Sequence, residues 1–176
     1  MKKLSAYEIA LSAFACALAT IFLTVGMYSE ILLFTGYLFG GVALMLPLSK
    51  KCYTGYILAY IGTCVLSFIF TSGRIFDILP FVIFFGLHPL INELQLKSKI
   101  NCWLACGLKA LWFDATMLFI WKFLFLETST LPIVDKYIIP IVLILGTAFF
   151  IFYDSTMYKC RYSVYTLVKR FDNKKR

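Results

Sequence analysis

Residues 107–123 read GLKALWFDATMLFIWKF, a run apolar enough to lie in lipid that nevertheless carries Lys109, Asp114 and Lys122. An ionisable group at the centre of a bilayer costs about 2.5–3.5 kcal/mol on the lenient insertion scale, so such groups persist where they pair, reach the interface or serve a site. The run belongs to one of six apolar segments of a length that crosses about 30 Å of hydrocarbon as helix. They are Tyr7–Met27, Ile31–Leu48, Tyr53–Phe70, Ile75–Leu94, Cys102–Leu126 and Tyr137–Tyr158. Composition agrees: 61% of residues are hydrophobic and 18% aromatic, with a mean hydropathy of +0.86, against about 45–50% apolar residues in soluble domains. Short connections make neighbouring helices antiparallel. The expected fold is an all-α membrane protein, six transmembrane helices in one compact bundle, with residues 1–176 forming a single transmembrane domain.

The formal net charge of +8 is unevenly placed. With the N-terminus in the cytoplasm, the inner loops and tails hold Lys2, Lys3, Lys50, Lys51, Lys97, Lys99, Lys159, Arg161 and the basic residues of KRFDNKKR at 169–176, whereas the outer loops hold Arg74 and Lys136. This is the positive-inside pattern, and it puts both termini in the cytoplasm. The basic tail, 159–176, then serves as a topology anchor that also touches anionic lipid headgroups. No aromatic and basic platform accompanies the charge, which excludes nucleic acid as a partner. The start, MKK before an apolar run, has the outline of a secretory signal. Glu8 interrupts it, however, and the run continues past Ala15 and Ala19 to Met27, as a retained first helix does. The six cysteines lie within spans or near the cytoplasmic face, and Cys102 and Cys106 have no second Cys or His pair to complete a tetrahedral site. They read as small apolar packing residues, with no metal and no cofactor expected.

Small residues recur at four-residue intervals: Ser12, Cys16, Thr20 and Thr24 in the first span, with Ala13 and Ala17, then Ala15 and Ala19, beside them; Gly36 and Gly40 in the second; Gly55, Ala59, Thr63 and Ser67 in the third. In lipid such lanes let helix backbones approach closely. The fourth span contains Pro80, Gly86 and Pro89. Each proline removes a backbone donor, and the freed carbonyl must find protein or water, so a bent helix with an irregular outer end is expected. His88 lies one turn from Asn92 and reads as a satisfied histidine near the cytoplasmic interface.

At about 1.5 Å per residue from Cys102, Lys109 lies about 10 Å deep, Asp114 about 18 Å and Lys122 about 30 Å. Lys109 and Asp114 project about 140° apart on the helix and cannot pair. Lys109 can snorkel inward or meet Glu93 or Asp154 on neighbouring spans. Lys122 reaches the outer surface beside Trp121. An aspartate is too short to snorkel from mid-membrane, so Asp114 must face a partner, a wet cavity or a ligand, or be protonated. The outer half can complete such a cavity with Tyr28 and Glu30, Arg74 and Asp77, Trp121 and Lys122, aromatic walls with a few polar points. No catalytic motif or triad is present, and no enzyme is expected. Phosphate-cradling glycine loops are absent too, so energy for transport would come from another protein.

The six-span layout, the alanine-rich first helix (ALSAFACALA, Ala10–Ala19) and the glycine-bearing second span (TGYLFGGVALMLPL) resemble the S components of energy-coupling-factor transporters. These are substrate-binding subunits for vitamins and related micronutrients in the bacterial plasma membrane. The resemblance implies that Ala13 and Ala17, spaced AxxxA, contact a shared transmembrane coupling subunit. It also implies that a small-molecule solute is held in the outer half, where Asp114 and its neighbours fall, and that two ATPase subunits drive reorientation. A second reading is a membrane scaffold resembling the rod-shape-determining proteins of the cell-wall machinery, in which the charges serve helix pairing. An intramembrane enzyme or a proton-coupled carrier is a third.

Overall fold

The structure, a computed structural model, describes residues 4–29, 31–98, 100–124, 137, 139–140 and 142–173. Helix α1, Ala6–Tyr28, starts at a capping box in which the Ser5 side chain accepts the Glu8 N–H and the Glu8 carboxylate accepts the Ser5 N–H at 2.8 Å. That exchange satisfies two donors that a helix start otherwise leaves unpaired. Then come α2, Leu33–Leu48, and α3, Tyr53–Phe70. The fourth segment is α4, Ile75–Pro80, a π-helical turn, Phe81–Phe85, and α5, His88–Lys97. Helix α6 is Cys102–Leu124. A second π-helical turn, Val142–Gly146, leads into α7, Thr147–Asn173.

The described residues are helical throughout their regular structure, with no strand. Four helical stretches among them are long and apolar enough to cross a membrane: Ala6–Tyr28, Tyr53–Phe70, Ile75–Lys97 and Cys102–Lys122. Helix α2 is apolar but, at 16 residues, shorter than the expected segment because Ile31 and Leu32 belong to the turn before it. Ile9, Phe14, Ile21 and Val25 of α1 are each more than half exposed, as side chains facing lipid are.

The small-residue lanes are where helices meet. Gly55, Ala59, Thr63 and Ser67 all lie on the buried face of α3, and Ser12 and Thr20 are buried on α1. Gly26 and Gly36 bring α1 and α2 together so closely that a Cβ on Gly36 would stand 2.8 Å from the Phe22 carbonyl oxygen. On α1 the two alanine lanes part company: Ala15 and Ala19 are fully buried, while Ala13 and Ala17 are exposed.

The expected bend in the fourth segment falls through its middle, between Pro80 and Pro89. Besides the Phe76 and Phe85 carbonyls, which face Pro80 and Pro89, three more lose their helical donors there. Phe81 N–H turns to Ile78, Gly86 N–H reaches back to Phe81, and Leu90 N–H turns to Leu87. Asp77, Val82 and Gly86 are thereby left without their usual i+4 partners. Tyrosine hydroxyls replace them: Tyr37 donates to Asp77 O, Tyr60 to Val82 O at 2.6 Å, and Tyr56 to Gly86 O. Protein therefore supplies what a membrane interior cannot.

The bent segment delivers Phe84 to the centre of the bundle. Its ring lies 4.7–6.0 Å from those of Phe85, His88, Trp112, Phe113, Phe150 and Tyr153, within the range of favourable aromatic packing. The expected end of the last span at Tyr158 gives way to a longer helix: α7 continues to Asn173 and stays docked through Val164, Tyr165 and Val168.

Candidate functional site

Helix α6 turns Lys109, Ala110, Phe113, Asp114, Thr116 and Ile120 inward. Asp114 is 3% exposed, and its Oδ2 accepts a hydrogen bond from Thr147 Oγ1 at 2.8 Å. Thr147 is the first residue of α7, directly after the π-helical turn. The other oxygen, Oδ1, is buried with no hydrogen-bond partner, and no cation pairs with Asp114 among the described residues. Beside it Phe113 stacks on Phe149, with centroids 6.0 Å apart. A buried carboxylate oxygen without a donor is costly, by about 1–3 kcal/mol or more when charged. Such an orphan in a native fold points to stored strain or to a group awaiting a ligand.

Arg74 pairs with Asp77 at 2.7 Å and donates to the Met27 carbonyl at 3.0 Å, while Tyr28 donates to the Phe70 carbonyl at 2.9 Å. These contacts tie the ends of α1 and α3 to the start of α4. Trp121 is half-buried and Lys122 exposed, two turns beyond Asp114 on α6. Glu30 lies outside the described residues. Asp114 thus has Thr147 as its hydrogen-bond partner, while Asp77 is paired with Arg74.

Ala13 lines an apolar groove of about 250 Å³ between α1 and α3, with Ser12, Cys16, Gly55 and Ala59 on its floor and walls. A Cβ on Gly55 would meet Ser12 Oγ at 2.3 Å, so this part of the groove depends on glycine.

Lys109 finds Asp154, one of the two partners expected for it. Its Nζ lies 2.9 Å from both Asp154 oxygens and 2.8 Å from Asn92 Oδ1, and Asn92 Nδ2 donates to Asp154 Oδ1 at 3.2 Å. His88 Nε2 approaches the same oxygen at 3.0 Å, off the line of a hydrogen bond. His88, Asn92, Lys109 and Asp154 are all buried. Glu93, the alternative, is taken by Arg161 at 2.8 Å and by the Tyr165 hydroxyl at 2.8 Å. Burial disfavours the Arg161 charge, but bonding to Glu93 outweighs it and holds the guanidinium above its ordinary value. Burial, then the same carboxylate, pushes the Tyr165 hydroxyl well up.

No group of three or more potential metal ligands occurs among the described residues. Sequence reasoning missed Thr147 as the partner of Asp114, and it missed the three tyrosines that complete the bend. Nothing in the residue spacing links these pairs, which meet through tertiary packing alone. No protein family, curated protein or solved structure matches the chain.

Proposed function

We propose that this chain is the membrane-embedded substrate-binding subunit of a micronutrient uptake transporter. On this reading it lies in a bacterial plasma membrane with six spans and both termini cytoplasmic. It captures a small vitamin-like molecule from the outer face and relies on a shared transmembrane coupling subunit and two ATPase subunits. The observation that carries the reading is the orphaned Oδ1 of Asp114, buried in a helical bundle with no cation paired to it among the described residues. A solute bearing an N–H, O–H or cationic group completes that valence, and the aromatic rings around Phe113 receive its flat part. The exposed Ala13 and Ala17 beside a glycine-dependent groove support the partner half, because small exposed residues admit a neighbouring helix closely.

The test is a thermal-unfolding screen of vitamins, nucleosides and their precursors on the purified chain. A ligand that binds the folded state raises its unfolding temperature, by about 2.7 kcal/mol of stability at a hundredfold excess over Kd. One compound that stabilises the protein supports the reading; a complete absence of shifts contradicts it. A second reading, a scaffold of the cell-wall machinery, is favoured by one observation: the ring cluster around Phe84 fills the bundle centre. Under that reading the chain co-purifies with wall-synthesis proteins and no small molecule stabilises it.

A further inference from the structure

We propose that the solute held at Asp114 is an organic cation with a flat, ring-bearing body; the inference rests on the uptake reading above and narrows it to one charge class. Among the described residues the fold buries three carboxylates, Glu93, Asp114 and Asp154. Two of them are neutralised from within the chain, Asp154 by Lys109 at 2.9 Å and Glu93 by Arg161 at 2.8 Å. The half-buried Asp77 follows the same rule through Arg74 at 2.7 Å. Asp114 has no cation among the described residues, and the hydrogen bond from Thr147 engages Oδ2 while Oδ1 receives none. A buried charge without a counter-charge is what removal of one partner from an ion pair creates, and it is strongly destabilising. A neutral donor would satisfy the oxygen and leave the charge. A cation satisfies both, through the stronger charge-assisted bond.

The surroundings select the kind of cation. Calcium and magnesium ions take about six or more oxygen ligands, and no group of three or more potential metal ligands occurs among the described residues. What stands beside Asp114 is aromatic. Phe113, next to it on α6, stacks on Phe149 with centroids 6.0 Å apart, and Phe149 meets Phe34 edge-on at 5.4 Å. Phe113 is 2% exposed and Phe34, at the start of α2, is 51% exposed. The three rings therefore form a continuous wall from the bundle interior to its surface. Aromatic faces attract organic cations and stack on flat ligands. A ring-nitrogen or ammonium cation finds the carboxylate oxygen for its charge and these rings for its body.

The test is thermal unfolding of the full chain, in an uncharged detergent, against N-methylated pyridine, pyrimidine, thiazole and purine cations. Each is measured beside its uncharged parent and the corresponding ring carboxylate. The stabilising cation is expected to bind roughly ten- to a hundredfold more tightly than its parent, the worth of a hydrogen bond to a charged group, and Asp114→Asn removes that preference. The paired comparison on the wild-type chain decides the charge class even where the variant fails to fold. A neutral or anionic member that stabilises the chain as well as its cationic counterpart overturns the charge assignment and leaves the uptake reading standing. A cation preference that persists in folded Asp114→Asn places the cation away from this carboxylate and also overturns the proposal. Silence across cations, parents and anions alike contradicts both.

Discussion

Thr147 donates to one oxygen of Asp114 at 2.8 Å, while the second oxygen of the same carboxylate is buried with nothing to receive. Replacing Asp114 with asparagine keeps an acceptor for Thr147 and removes the charge. The variant is expected to fold and to be about 1 kcal/mol more stable when empty, since a residue kept for function at a cost in stability gains when neutralised. Thermal or denaturant unfolding in detergent checks the sign.

Lys109 and Asp154 behave in the opposite way. Breaking a buried pair by removing one partner leaves an uncompensated charge and costs about 3–5 kcal/mol. Lys109→Met and Asp154→Leu are therefore each strongly destabilising, and the double variant recovers much of the loss. A double-mutant cycle on unfolding free energy measures the coupling; additive losses would refute it.

The bend of the fourth segment rests on tyrosine hydroxyls. Tyr60→Phe removes the donor to Val82 O, and Tyr56→Phe the donor to Gly86 O. Each is expected to cost about 1 kcal/mol, within the measured range for side-chain hydrogen bonds in membranes. Gly86→Ala should cost more, about 1–3 kcal/mol, because its Cβ would stand 2.6 Å from the Tyr60 ring and 2.9 Å from the Phe81 carbonyl.

Tyr165 gives a pH signature. Its proton is held more tightly in the folded protein than in the unfolded chain, first by burial and then by Glu93. The folded state therefore binds more protons above the ordinary tyrosine pKa of about 10, and stability falls as pH rises beyond it. Tyr165→Phe makes this alkaline limb shallower in unfolding measured against pH.

Ala13→Trp and Ala17→Trp test the partner surface. Both positions are exposed, so the variants fold with unfolding temperatures close to wild type. Association with a coupling subunit, measured by co-purification, is expected to disappear. Ala15→Trp and Ala19→Trp, at fully buried positions, destabilise the bundle instead by overpacking.

Helix positions were largely legible because apolar run length is a direct consequence of bilayer thickness. The interval of four picked out the buried face of α3, Gly55 to Ser67, residue by residue. The same interval did not distinguish Ala13 and Ala17 from Ala15 and Ala19, since a lane tells which residues are small and not which way the helix is turned. Two prolines announced a bend in the fourth segment, but its position depends on where Tyr37, Tyr56 and Tyr60 reach in from α2 and α3. Asp114 stood out from its depth alone. Its partner did not, because Thr147 comes from a distant helix through a π-helical turn that no residue pattern marks. Depth groups the outer residues Arg74 and Asp77 with Asp114, whereas it is tertiary packing that sets Arg74 against Asp77 and the end of α1.

The most direct test is an equilibrium titration of the stabilising solute against the wild-type chain and Asp114→Asn, read by tryptophan fluorescence from Trp112, whose ring lies 4.7 Å from Phe84. A hydrogen bond to a charged group contributes about 1.5–3 kcal/mol, so the variant should bind roughly ten- to a hundredfold more weakly while remaining folded. Equal affinity in the two proteins would mean that the carboxylate does not hold the solute.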